Sequence, residues 1–231
     1  IIEDSLLDSK INNNLLSIFL HKGLISIAWV DMTSGLIKLE RIEGKNFLQY
    51  LTESIHKIEP GEIIVSEEIK NSKILNEKLG IFDKQISYIP HTFYDHKNNT
   101  DVINNFFDIK KIQSLADLNQ TDIAVIGALI NYLKLTQKNN IPKIRNVEIV
   151  SREKFMQIDM FTLKSLEIFE RYDGVKKGSL IDTIDKTQTA CGARMLRHFL
   201  KAPLIDNKEI EFRHNLICLL YTSDAADDFT S

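Results

Sequence analysis

A chain of 231 residues has room for one large or two modest domains, and 43% hydrophobic with 26% charged residues, six Tyr, twelve Phe and one Trp, excludes disorder. The formal net charge of −3 gives no electrostatic reason for tight nucleic-acid binding by this piece alone. No apolar run is long enough to span a membrane, and the start lacks the basic-then-apolar layout of a signal peptide.

In chain order, Leu6 to Leu20 reads as a helix, with apolar residues at 7, 11, 15, 18 and 19. Leu24 to Val30 reads as a buried strand. A turn from Asp31 to Gly35 reverses it into Leu36 to Ile42, where Lys38 and Glu40 alternate with Ile37 and Leu39, which predicts one wet face. Gly44 opens a helix to about Lys57, and Pro60-Gly61 reads as a turn before a short aliphatic strand, Glu62 to Ser66. A helix over Glu68 to Leu79 and a strand over Gln85 to Ile89 complete an α/β layout with a mixed sheet.

His91 to Ile112 is polar with aromatic anchors and reads as a loop with a short helix. Asp122 to Thr136 carries the strongest helical pattern, with Ile123, Ile126, Ile130 and Leu133 on one face, and is expected to pack on the sheet. Asn139 to Arg145, with Pro142, reads as a linker, and Val147 to Val150 as a short strand. Helices alone follow, placing a domain boundary near residue 150.

The start at Ile1-Ile2, without Met, reads as a cut from something longer. Cys218 to Asp228 abandons the Ile/Lys/Asn-rich style of the rest and resembles read-through of a sequencing adapter, so 218–231 is expected to be a non-native tail. Its three aspartates (Asp224, Asp227, Asp228) account for the whole net charge, leaving the remainder neutral. Cys191 is then the single thiol. It cannot form an internal disulfide, which suits a reducing cytoplasm.

The most ordered motif runs from Tyr172 to Leu204. Turns at Asp173-Gly174 and Gly178 deliver a short apolar segment, Ser179 to Ile184. Thr187 and Thr189 then stand where a helix needs an N-cap, since a side-chain oxygen there satisfies unpartnered backbone N–H groups. The following helix carries Cys191, Met195 and Phe199 on one side, with Leu196 and Leu200 widening the stripe, and Pro203 ends it. Gly192 sits mid-helix at a cost of about 1 kcal/mol, which predicts a second backbone passing close by.

This pattern (Gly178-Ser179-Leu180, Asp185, Thr187, Thr189, Gly192, Arg194, Leu196, Arg197, Pro203-Leu204) resembles the start of the helical lever, or core, domain in the MutS family of DNA mismatch-repair proteins. Asn13-Asn14-Leu15-Leu16 and Trp29 to Gly35 resemble the opening of that family's connector domain. The resemblance implies an α/β ribonuclease H-like connector with a mixed sheet over 1–150, then the start of an all-α lever/core domain over 151–217. It further implies a longer homodimeric protein that binds mispaired double-stranded DNA in an ATP-dependent way, with magnesium, and recruits MutL. This segment would link and transmit.

Candidate chemistry in the chain itself is sparse. Gly174-Val175-Lys176-Lys177-Gly178-Ser179 has its lysines before the second glycine and too short a loop for a phosphate cradle, so no ATP site is expected here. Asp31, with Glu40, Glu67 and Glu68, is the conceivable ligand set for a two-metal nuclease of ribonuclease H-like fold; an Asx turn is the plainer account of Asp31. A stand-alone protein-binding adaptor is a further alternative. His91, Asp95 and His96 lack zinc spacing, and Cys191 reads as core. Arg194, Arg197, His198 and Lys201 share one helix face, and residues 143–201 hold twelve Lys/Arg against eight Asp/Glu. Phosphate contact is one reading, and a solvated face or interdomain ion pairs the favoured one. No catalytic, cofactor-binding or metal residue is assigned.

Overall fold

The computed structural model describes residues 14–31, 35–107, 117–137, 144 and 146–227. The chain divides into two compact units, Ile1–Val150 and Ser151–Ser231. Among the described residues no helix is long and apolar enough to cross a membrane.

The first unit holds six strands: β1 (Asn14–His21), β2 (Leu24–Asp31), β3 (Leu36–Ile42), β4 (Pro60–Ser66), β5 (Ile86–Ile89) and β6 (Asn146–Ile149). They form one mixed sheet in the order β5-β4-β1-β2-β3-β6. β2 runs against both β1 and β3, and the other neighbouring pairs are parallel. Its helices are α1 (Phe47–Ile58), α2 (Lys73–Leu79), α3 (His96–Phe106) and α4 (Gln120–Gln137).

Strand β1 corrects the helix expected over Leu6 to Leu20; its first eight residues lie outside the described ones. The strand sits mid-sheet and is covered on both sides, so Leu15 packs with α3 and α4 while Leu16 and Ile18 pack with α1 and α2. Two-sided burial erases the period-two signal, and the remaining apolar spacing mimics a helix.

Strand β3 lacks the expected wet face. Glu40 is 6% exposed and accepts a hydrogen bond from Ser54 Oγ of α1 at 2.8 Å. Pro60-Gly61 belongs to β4 rather than a turn, and the reversal falls on Glu59, in the left-handed region at φ 48° with its N–H on Ile55 O at 3.0 Å. The helix expected over Glu68 to Leu79 splits at Ser72 into a 3-10 turn, Glu67–Asn71, and α2. Of the expected linker only Ile144 is described, and most of the Asp31–Gly35 turn likewise lies outside the described residues.

Helix α4 is buried almost all round, because the sheet takes one side and α3 another. Tyr132 on α4 donates to Glu62 of β4, and burial first, then that carboxylate, pushes its phenol up to about 12. Asn99 of α3 lies over Gly127. A Cβ there would sit 2.1 Å from Asn99 Cγ. Asn99 Nδ2 donates to Phe93 O (2.8 Å) and Ala124 O (3.2 Å), and Asn131 Nδ2 donates to Asn99 Oδ1 (3.1 Å). At the N-terminus of α4 the fully buried Asp122 accepts from Ser26 Oγ (2.7 Å), Arg41 Nε (2.9 Å) and Asn119 N (3.0 Å), which pins the helix to the β2–β3 hairpin.

The second unit contains α5 (Met160–Ser165), α6 (Leu180–Ile184), α7 (Ala190–Lys201) and α8 (Asn207–Asp227). Asp159, Ser179 and Thr189 cap the first three, each accepting a backbone N–H. The amide of Thr162 holds the Asp159 carboxyl below its usual range. A bridge between Phe155 and Leu204, with Met156 N–H on Pro203 O at 2.7 Å, ties the start of the unit to the chain after α7.

Among the described residues the core of this unit is thin: Leu163, Ile181, Ala193 and Ala202 are the buried hydrophobics, whereas Phe161 (81% exposed), Leu220 (71%) and Phe212 (60%) stand open. ANS should therefore fluoresce with the native full chain, and Phe161→Ser with Phe212→Ser should lower that emission without lowering the melting temperature. Emission unchanged by both substitutions would contradict the exposed surface.

Candidate functional site

The nuclease carboxylates do not converge. Asp31 pairs with Asn14 at one end of the sheet, whereas Glu67 and Glu68 follow β4 at the other, because β4 runs parallel to β1. Glu40 lies mid-strand opposite Ile27 and is bonded to Ser54. Two catalytic metal ions sit about 4 Å apart and need carboxylates that converge on both, which this spread does not supply. Gly35 N–H donates to Asp31 O at 2.9 Å, and Gly35 is in the left-handed region at φ 67°. Among the described residues no group of three or more His, Cys, Asp or Glu could hold a metal ion.

At the carboxyl ends of β1, β4 and β5 lies an open cleft of about 650 Å³. His91 Nδ1 is 3.2 Å from Ser66 Oγ and 3.2 Å from Glu68 Oε2. A nucleophile relay needs hydroxyl and carboxylate on opposite ring nitrogens; here both meet the same one. Asp95 caps α3, accepting from Lys97 N at 3.1 Å and Asn98 Nδ2 at 2.9 Å, so its oxygens are committed. Phe19 and His21 also line this cleft. Phe19 falls inside the helix expected over Leu6 to Leu20 and His21 just after it, so neither carried a signal of a cleft.

In the second unit the 171–178 loop turns its amides inward. Tyr172 N–H donates to Glu167 Oε1 (2.9 Å), Val175 N–H to Asp173 Oδ1 (3.1 Å) and Gly178 N–H to Asp182 Oδ2 (2.9 Å). Amides satisfied by carboxylates cannot cradle a phosphate. Past α6, Asp185 Oδ1 accepts from Thr187 N–H (3.0 Å) and Thr187 Oγ1 (2.6 Å), and Thr189 Oγ1 accepts from Gly192 N–H (3.0 Å).

These bonds account for the spacing of the motif. A Cβ on Gly192 would meet Thr189 Oγ1 at 3.2 Å and Thr187 Cβ at 3.4 Å. The glycine makes room for its own capping threonines, which corrects the expectation of a crossing backbone.

Helix α7 also faces the other way from its sequence pattern. Cys191 and Met195 are exposed, so Cys191 is not core. Lys201 is 4% exposed, with Nζ 5.5 Å from the Phe169 ring, and Arg197 Cζ lies 4.5 Å over the same ring. His198 packs edge-on to Phe155 at 6.1 Å. Cation–π contact to Phe169 draws the basic face into the unit, where stems of long cationic residues replace aliphatic packing. Within the stripe, Arg197, His198 and Lys201 thus also serve packing.

Comparison with known families agrees with this division. The family model of MutS domain II matches residues 13–145, and that of MutS domain III matches 161–231. DNA mismatch repair protein MutS of Ehrlichia chaffeensis is 33% identical over 217 residues, covering 94% of this chain and 26% of that protein. The Anaplasma phagocytophilum protein of the same name is 30% identical over 217 residues (94% and 26%), and that of Orientia tsutsugamushi 33% over 221 residues (96% and 24%). The chain spans about a quarter of the length of these relatives. With both domain models matched in order along the sheet unit and the helical unit, the chain belongs to the MutS family of DNA mismatch-repair proteins.

Proposed function

We propose that the sheet unit is the ribonuclease H-like connector of a longer mismatch-repair protein, and that the helical unit begins its lever. In that protein the segment transmits between a DNA-binding end and an ATPase end and performs no chemistry of its own. The strand order β5-β4-β1-β2-β3, with β2 alone reversed, supports the connector assignment. The observation that carries the reading is the second unit's thin core and open apolar surface, as expected of a helical segment that packs against further chain.

The longer protein would be a cytoplasmic homodimer that binds mispaired double-stranded DNA, responds to ATP and magnesium, and engages MutL. In this reading the ATP and magnesium of the longer protein would be bound by other segments, as the committed amides of the 171–178 loop and the spread of the sheet carboxylates support.

Arg194→Pro in the longer protein tests transmission, since proline inside a helix costs about 3 kcal/mol or more and breaks the rod. The proposal expects mismatched-duplex binding to persist and ATP-driven release to slow about tenfold. Release at the unaltered rate would contradict it.

A further inference from the structure

We propose that the cleft at the carboxyl ends of β1, β4 and β5 binds a phosphorylated nucleotide, free or at the end of a nucleic-acid strand. From β1 the chain turns through Lys22-Gly23 to β2 on one side, and from β4 it passes through α2 to β5 on the other. Where neighbouring strands send the chain in opposite directions, an open α/β sheet leaves a crevice that takes ligands. The volume of about 650 Å³ suits a small molecule.

A flat platform stands in this crevice. Phe19 stacks on Tyr94 with ring centres 5.0 Å apart and 10° between planes, and the His21 ring lies parallel to Phe19 within 3° at 6.4 Å. Tyr94 is buried and anchored by its hydroxyl on Ile64 O at 3.1 Å, so the platform is rigid. Rigid aromatic faces of this kind receive nucleobases with little sequence preference.

Beside the platform, His91 has Nδ1 engaged by Ser66 and Glu68, while its Nε2 makes no hydrogen bond among the described residues and its side chain is 46% exposed. His96, at the first turn of α3, lines the same wall. Among the described residues lining the cleft, Glu68 and Asp95 are the carboxylates and none is Lys or Arg, so of these the imidazoles are the groups available to a phosphate. Base on Phe19 and phosphate on His91 define a nucleoside monophosphate unit.

The inference goes beyond the connector role, and its failure would leave that role untouched. Calorimetric titration of the full chain with adenosine 5′-monophosphate, adenosine and inorganic phosphate tests it. The monophosphate should saturate, with adenosine and phosphate each at least about tenfold weaker. Phe19→Leu and His91→Ala should each weaken the monophosphate about tenfold while Trp29 fluorescence reports an unchanged fold. A 5′-phosphorylated oligothymidylate binding as tightly as the monophosphate identifies the strand end as ligand, and no oligonucleotide binding identifies the free nucleotide. Absence of saturable monophosphate binding up to about 10 mM, or binding indifferent to both substitutions, would overturn the site.

Discussion

Gly127→Ala should destabilise the sheet unit by about 3–5 kcal/mol, read as a fall of roughly 10 °C in the transition followed by the single tryptophan, Trp29. On helix propensity alone the same change would stabilise by up to about 1 kcal/mol. The sign reverses because the new methyl would lie 2.1 Å from Asn99 Cγ and 2.3 Å from its Cβ. No rotamer of alanine avoids that overlap, so α3 must lift from α4. Lifting it breaks the bonds from Asn99 to Phe93 O and Ala124 O and the one it accepts from Asn131. Adding Asn99→Gly to Gly127→Ala should recover part of the loss, since it removes the clash but not the lost bonds. A Gly127→Ala protein as stable as its parent would show that the two helices do not touch at this point.

Asp122→Ala comes second, at about 2–4 kcal/mol. Removing the carboxylate leaves the fully buried Ser26 with only its weaker bond to Thr121 Oγ1, takes the acceptor from Asn119 N–H and leaves Arg41 without its ion partner. The full penalty for breaking a buried pair is discounted because the Arg41 side chain remains 32% exposed and can reach water. A double-mutant cycle with Arg41→Ala should give a coupling of about 1.5 kcal/mol or more, changed little by added salt because Asp122 is screened from solvent. Coupling below about 0.5 kcal/mol would mean the contact is incidental.

Neither position announces itself in the sequence. Asp122 reads as an ordinary acidic residue in the first turn of a helix, and its partner Arg41 is 81 residues away. Gly127 sits in a run whose apolar pattern reads as helix with or without it, and Asn99 lies in a polar segment that reads as a loop with a short helix of no fixed position. Local pattern suffices where one element decides its own conformation: β2, α1, α4 and the capping role of Thr189 are legible because their signals are propensity, periodicity and hydroxyl spacing. It fails where burial comes from both sides, as at Leu15 to Ile18.

Orientation is a separate problem. The pattern of α7 puts Cys191, Met195 and Phe199 inside, yet Phe169 draws in Arg197 and Lys201 from the opposite face. Amphipathicity marks two sides of a helix without saying which of them the neighbouring chain will cover. In a segment that represents about a quarter of its relatives, the apolar side is the one left open.

In the proposed role α7, capped at one end by Thr189 and closed at the other before Pro203, answers to nucleotide state from within the longer protein. Hydrogen exchange over residues 189–201 in that protein, bound to mismatched duplex with and without ATP, measures this directly. Transmission predicts a change in amide protection across this helix on adding ATP; identical exchange in the two states would contradict it.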